Sequence, residues 1–124
     1  MDYKKSFNEL YQDAKEKYKI QQQPQLVLRK DNKNAQMTFG KTAYYEPNNQ
    51  TIVIFITNRH PKDILRSYCH EMIHHIQNER GDLEMGDASS PTYAQDDQHM
   101  RKMEMEAYLK GNLLLRDYED NFKK

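Results

Sequence analysis

The sequence predicts an α+β domain, and three observations carry this prediction. Residues 51–57 form a short apolar run rich in β-branched side chains, which is typical of a buried strand. Apolar residues recur at three- and four-residue spacings over residues 61–79 and again over residues 97–118, as on one face of a helix. We therefore expect an N-terminal helix, a three-stranded and mainly antiparallel sheet, a central helix and a C-terminal helix.

The elements before the central helix follow from local patterns. Residues 3–18 predict an amphipathic helix that covers one face of the sheet. Its apolar positions are Phe7, Leu10, Tyr11, Ala14 and Tyr18. Residues 25–29 are a candidate strand. Residues 37–45 favour a second strand that pairs antiparallel with residues 51–57 across a turn at residues 47–50.

The central helix is predicted over residues 61–79. Pro61 suits a first helical turn, Asp63 adds negative charge near the positive end of the helix dipole, and Gly81 is a typical C-terminal stop. Apolar side chains at helical spacing form a stripe that should face the core. The stripe consists of Leu65, Cys69, Met72, Ile73 and Ile76.

Residues 70–74 read His-Glu-Met-Ile-His, which is the HExxH pattern. His70 and His74 are four residues apart, so both imidazoles lie on one helix face and can bind one metal ion. Glu71 is about 100° further round the helix, where it can accept a proton from a water molecule at the metal. The pattern predicts a zinc site with two ligands and a general base from one helical turn.

A catalytic zinc ion needs a third protein ligand, which the chain after His74 must supply. Glu104 is the best candidate, because it falls on the apolar face of the C-terminal helix. A carboxylate there is costly unless it is paired or binds a metal. The alternative for Glu104 is a carboxylate at the rim, paired with Arg101 or Lys102.

Three other residues near the predicted site carry weaker signals. His99 is the alternative third ligand, although it lies nearer the start of the helix. Glu106 is about 200° from Glu104 round the helix and is expected to face solvent. Tyr93, in an acidic stretch over residues 81–98 that predicts a flexible flap, could donate a hydrogen bond to the oxyanion. The acidity of the flap could favour basic peptide segments, although such a run is more often a solvated loop.

Several of these segments together resemble a known family. Gly-Lys-Thr-Ala-Tyr-Tyr-Glu-Pro at residues 40–47, Ile-Val-Ile at residues 52–54 and the segment 61–74 resemble the catalytic core of SprT-like zinc metallopeptidases. This similarity spans roughly residues 37–77. The Glu-Met-Glu-Ala segment at residues 104–107 resembles the ExxA pattern of gluzincins, including the ImmA/IrrE type, whereas the third ligand of SprT-like enzymes is usually His.

The resemblance implies a minimal zincin, either a gluzincin or a SprT-like metallopeptidase. It further implies that His70, His74 and Glu104 bind Zn²⁺ and that Glu71 is the catalytic base. The implied reaction is hydrolysis of peptide bonds in a polypeptide substrate.

Composition limits the other classes of function. A chain of 124 residues is long enough for one domain, which we expect to span residues 1–124. The 19 Lys and Arg residues equal the 19 Asp and Glu residues in number, so no overall charge favours nucleic acid or an anionic membrane. Cys69 is the only cysteine, which excludes a disulfide framework and a Cys-ligated zinc site. With no apolar run of membrane-spanning length, we expect a soluble cytoplasmic protein.

Two other classes of function remain open from the sequence. One is a catalytically inactive binding or regulatory protein that keeps the zincin fold and uses zinc for structure, which would favour a fourth protein ligand. The other is a metal-free helical domain with an accidental HExxH motif. Melting temperature should respond to a chelator in the first class and not in the second.

Overall fold

The computed structural model describes residues 3–33, 42–83 and 93–122, with side chains in the last range from residue 98 to residue 121. Within these ranges the chain forms three helices and one three-stranded sheet, so the protein is α+β as predicted. The elements are α1 (Tyr3–Tyr18), β1 (Gln25–Arg29), β2 (Ala43–Glu46), β3 (Thr51–Phe55), α2 (Pro61–Glu79) and α3 (Tyr93–Phe122).

The strand order in the sheet is β1-β3-β2. β2 pairs antiparallel with β3, with Tyr45 opposite Ile52, so the predicted hairpin is confirmed. β1 pairs parallel with β3, with Gln25 opposite Thr51, which makes the sheet mixed. The prediction of a mainly antiparallel sheet was therefore wrong. A tight turn forces β2 and β3 to be antiparallel, whereas no turn fixes the direction of β1 relative to β3. The part of the predicted second strand at residues 37–41 lies outside the described residues.

The core lies between the sheet and the helices. β3 is buried along its whole length, as expected for the central strand with the most apolar sequence. The predicted stripe of α2 is buried throughout, and the predicted α1 face is buried except for Tyr18, which is half-buried against the core. In the described parts of the chain, none of the helices has the length and apolar character needed to cross a membrane.

Both ends of α2 are capped, at Gly81 as predicted and at His60, which the sequence did not indicate. The His60 side chain accepts a hydrogen bond from the backbone N–H of Lys62, and Pro61 opens the helix. At the other end Gly81 adopts φ 82°, a left-handed conformation that favours glycine. The N–H of Asp82 then donates to the carbonyl of Gln77 at 2.9 Å, as in a Schellman motif.

Two polar links hold α2 against the sheet. The Arg59 guanidinium donates to backbone carbonyls at the sheet end, including Phe55 O at 2.8 Å, and also to Ser67 Oγ of α2 at 2.7 Å. His75 is fully buried and lies 2.7 Å from the Tyr45 hydroxyl through Nδ1. Its Nε2 donates to the carbonyl of Gln22 at 2.6 Å. His75 thus joins three parts of the fold and is committed to structure.

α3 begins at Tyr93, four residues earlier than predicted, and ends at Phe122. Residues 93–98 are therefore helical, and the prediction that they belong to a flap was wrong. α3 packs on α2 through its predicted face of small and apolar residues. The buried members of this face are Met103, Ala107, Gly111 and Leu114. The part of the predicted acidic flap at residues 84–92 lies outside the described residues.

Candidate metal centre

His70, Glu71 and His74 extend from α2 towards one open cleft. Each of the three can offer one ligand atom so that these atoms all lie within 4.8 Å of one another. The side chain of His74 is 9% exposed and that of His70 is 18% exposed, so both rings are largely shielded but reachable from the cleft. This group could hold a metal ion.

α3 brings a further carboxylate to the two histidines. Glu104 Oε1 lies 2.8 Å from His74 Nε2, and Glu104 Oε2 lies 3.2 Å from His70 Nε2. The structure thus places Glu104 between the two histidines named from the sequence. The Glu104 side chain is nevertheless 48% exposed, so the expectation that it occupies the buried apolar face was wrong. It lies at the rim of the contact between α2 and α3.

The position of Glu104 depends on a close approach of α3 to α2. A Cβ atom added to Gly111 would lie 3.1 Å from both the Cα and the backbone N of His70. Glycine allows this approach without displacement, whereas a Cβ atom here would require the neighbouring backbone to shift by a few tenths of an ångström. Since Glu104 lies two turns before Gly111 on the same helix, this approach also sets how near its carboxylate comes to the imidazoles.

Glu71 is buried beside the histidines. Its side chain is buried, and Oε2 has no hydrogen-bond partner among the described residues. Burial, with a smaller contribution from the negative charge of Glu104, raises the pKa of Glu71 to about 8. A nearby cation would favour its charged form. An unsatisfied buried carboxyl of this kind is costly without a charged or polar partner in the cleft.

The protonation of His70 also suits metal binding. Burial, followed by the neighbouring His74, lowers the pKa of His70, although the Glu104 carboxylate acts in the opposite direction. The neutral imidazole is the form that donates a nitrogen lone pair to a metal. The ring of Tyr108 packs against His70 with 4.5 Å between centroids, which restricts the movement of the imidazole.

Glu106 does not face solvent, contrary to the sequence-based expectation. Its side chain is 21% exposed, and its carboxylate accepts hydrogen bonds from Gln77, Arg80 and Lys110. These donors, Arg80 first, lower the pKa of Glu106 to about 2. α3 rests on α2 along its Met103 and Ala107 stripe, so the two glutamates lie on opposite flanks of that contact.

Two sequence-predicted candidates remain, His99 and Tyr93. His99 Nε2 donates to the backbone carbonyl of Asp82 at 2.5 Å, so that nitrogen is already engaged. Tyr93 belongs to α3, but its side chain lies outside the described residues. Its suggested role at the oxyanion stays a prediction.

The cleft around the centre has a volume of about 920 Å³. One wall is β2, which lies at an edge of the sheet, and the other is α3. Tyr108, which the sequence-based argument overlooked, lines this cleft and is 62% exposed. Its surface continues into the exposed apolar side chains of Met105, Leu109 and Leu113 on α3. The apolar residues of this patch recur every three or four positions along α3, and this spacing could have predicted it from the sequence.

Comparison of the chain with protein-family models, with curated proteins and with solved structures found no match. What the centre can do therefore follows from its own geometry and chemistry. A cleft holds two imidazoles, a bridging carboxylate and a second, unsatisfied carboxyl group.

Proposed function

We propose that the protein is a zinc metallopeptidase of the zincin type. The observation that carries the proposal is the convergence of Glu104 on the Nε2 atoms of both His70 and His74, at 2.8 and 3.2 Å. The proximity of His70 and His74 follows from helix geometry alone and would occur in any helix with this motif. The approach of a carboxylate 30 residues downstream of His74 provides the third ligand that a catalytic zinc needs.

The donor set fits Zn²⁺ in type and in spacing. Two imidazoles and one carboxylate are a known ligand set for catalytic zinc, with metal–ligand distances of roughly 2.0–2.2 Å. Tetrahedral geometry at that radius puts neighbouring ligand atoms roughly 3.3 Å apart. Glu104 Oε2 lies 3.2 Å from His70 Nε2, close to this value, whereas the 2.8 Å contact to His74 Nε2 is made by the other oxygen, Oε1. Binding one ion through a single oxygen would therefore require a small rotation of the carboxylate.

The residues divide the chemistry between them. His70, His74 and Glu104 hold the metal, and Glu71 is the general base. Zinc bound there would polarise a peptide carbonyl and make a water molecule acidic enough to attack it at neutral pH. Glu71 Oε2, which has no other partner among the described residues, takes the proton from that water and passes it to the leaving amine.

The cleft suits an extended polypeptide. β2 is an edge strand, and Ala43, Tyr44 and Tyr45 line the cleft beside the metal centre. An extended substrate that pairs along such an edge would have one of its carbonyls over the metal. Proline substitutions at residues 43–45 should lower peptide cleavage, and unchanged cleavage would contradict this binding mode.

The alternative is an inactive zincin-fold protein with a structural zinc. Structural zinc sites normally have four protein ligands. The fourth candidate, His99, instead donates through Nε2 to Asp82. The geometry therefore favours an open coordination position and a reaction. Within this proposal we place the protein in the cytoplasm, in keeping with its single cysteine.

The test measures zinc and hydrolysis on the same protein, purified without chelators or a His tag. We expect about one zinc per chain by elemental analysis, and cleavage of a denatured protein substrate that chelation stops and added zinc restores. The matched variant Glu71→Gln should keep the zinc and lose about 100-fold or more in turnover. Wild-type protein that takes up no zinc would overturn the proposal, and zinc binding without hydrolysis would favour the inactive alternative.

A further inference from the structure

Gln77 is a fully buried polar residue three positions after His74. The spacing of three puts the two side chains on the same helix face. Gln77 Oε1 lies 2.8 Å from His74 Nδ1, the ring nitrogen that does not face Glu104. Nothing in the HExxH motif requires an amide at this position.

The partners of Gln77 on α3 fix the orientation of its amide group. Gln77 Nε2 lies 2.9 Å from the carbonyl oxygen of Met103 and 2.8 Å from Glu106 Oε1. A carbonyl oxygen and an ionised carboxylate have no proton to donate, so both partners can only accept. The amide nitrogen of Gln77 must therefore face them. A flipped amide would place its oxygen against two acceptors. Oε1 therefore faces His74, and it can only accept.

Glu106 is itself held in place by two cations. Arg80 donates to Glu106 Oε1 at 2.7 Å, and Lys110 donates to Oε2 at 2.7 Å. Arg80 is fixed in turn by the C-terminal end of α2, where it also pairs with Asp82 at 2.8 Å. A continuous chain of charge and hydrogen bonds thus runs from Arg80 through Glu106 and Gln77 to His74.

We propose that Gln77, oriented by Glu106, is a positioning residue that keeps the proton of neutral His74 on Nδ1 and directs its Nε2 lone pair at the metal. Because Gln77 Oε1 only accepts, His74 Nδ1 must donate to it. The inference rests on the proposed function in naming the metal as the target of Nε2. The hydrogen-bond chain itself exists without a metal. Partners of this kind orient metal-binding histidines and raise their basicity.

The first experiment determines the tautomer of His74 by ¹⁵N–¹H correlation NMR on metal-free Glu104→Ala protein, in which the Glu104 carboxylate no longer accepts from Nε2. We expect the proton on Nδ1 when Gln77 is present and on Nε2 when Gln77→Leu is added, because leucine offers no acceptor. A ring protonated on Nε2 while Gln77 is present, or the same tautomer in both proteins, would overturn the inference.

The second experiment measures zinc affinity by competition with a chromophoric chelator. Gln77→Leu should weaken zinc binding about 10-fold or more. Glu106→Leu, a change at a more exposed position, should weaken it less because Met103 still holds the amide. Asn78→Leu is the matched control, since Asn78 donates to Tyr45 and Pro47 and has no contact with His74 among its assigned hydrogen bonds. Equal affinity in all three variants would contradict the inference.

A paired substitution separates positioning from general damage to the core. Gln77→Glu alone places two carboxylates together and should weaken zinc binding. Combining it with Glu106→Gln restores an acceptor for His74 and a donating amide opposite it, but the carboxylate at position 77 still faces the Met103 carbonyl. Zinc affinity should therefore recover in part, to a value between those of Gln77→Glu and the wild type. A double variant that binds zinc more weakly than Gln77→Glu would overturn the inference.

These outcomes are separable from failure of the proposed function. If the wild type takes up no zinc but His74 carries its proton on Nδ1 only when Gln77 is present, the peptidase proposal fails and the positioning role stands. If zinc binds and drives hydrolysis but the His74 tautomer is the same with and without Gln77, the positioning role alone fails.

Discussion

Glu104 and Glu106 are two residues apart on α3, and the contact with α2 gives them opposite environments. Glu104, 48% exposed, has two imidazoles as its partners across the helix contact. Glu106, 21% exposed, accepts from two cations and one amide. The first carboxylate lies on the flank that opens to the cleft, and the second lies on the flank that closes against the end of α2.

Under the proposed function, one helix contact would provide both the metal centre and its support. The charge of Glu106 is balanced by Arg80 and Lys110, so this carboxylate is suited to a fixed structural role. Glu104 faces imidazoles that are neutral when they bind a metal, so its charge is best balanced by a cation between them. We therefore propose metal binding on the flank that opens to the cleft and positioning on the opposite flank.

The largest expected effect is a loss of zinc that distinguishes the two glutamates. Glu104→Gln replaces a charged ligand with a neutral amide, and most of the bound zinc should be lost. Glu106→Gln keeps an oxygen that can accept from Gln77, so about one zinc per chain should remain. Elemental analysis of both variants beside the wild type measures this. Equal zinc contents would remove the distinction between the two flanks.

Zinc should also stabilise the fold through the cleft flank. A free zinc concentration 100 times the dissociation constant should raise the free energy of unfolding by about 2.7 kcal/mol. Thermal unfolding with zinc and with excess chelator should show this difference in the wild type and in Glu106→Gln, but not in Glu104→Gln. If the wild-type melting temperature is the same with and without chelator, a metal-free domain with an accidental HExxH motif is favoured.

Gly111→Ala should disturb both flanks together, because it separates α3 from the His70 backbone. Overpacking costs about 1–3 kcal/mol, and the higher helix propensity of alanine offsets about 1 kcal/mol. We expect a net destabilisation of up to about 2 kcal/mol by urea unfolding, with weaker zinc binding. Arg116→Ala, at an exposed position of the same helix, is the control and should change neither. Full stability and zinc affinity in Gly111→Ala would show that the close approach is not required.

The smallest expected effect is the pH dependence of the stabilisation by Glu106, which lies on the flank that closes against the end of α2. The pKa of Glu106 is lowered to about 2 in the folded protein, below the value of about 4.3 for an unfolded chain. Its stabilisation is therefore present above about pH 4.5 and is lost as pH falls towards 2. We expect about 1 kcal/mol, because Arg80 and Lys110 are more than one-third exposed and screened by solvent.

Urea unfolding of metal-free wild type and Glu106→Gln as a function of pH measures this contribution. The two free energies of unfolding should differ at pH 6 and converge near pH 2. A constant difference across that range would show that the Glu106 charge does not stabilise the fold.

Features that depend on neighbours along the chain were predictable. α2 spans the predicted residues 61–79, because Pro61 and Gly81 mark its ends. The hairpin of β2 and β3 followed from its turn. The parallel pairing of β1 was missed, since no short connection dictates its direction.

The sequence by itself determined that His70, Glu71 and His74 share one side of a helix, because the helical repeat fixes spacings of one and four residues. It also suggested Glu104 as a partner for them. Only the tertiary structure decided that Glu104 meets both imidazoles at a half-exposed rim while Glu106 turns to Gln77. The reason is physical: the rotation and separation of α3 against α2 depend on long-range packing around Gly111, which no local spacing encodes.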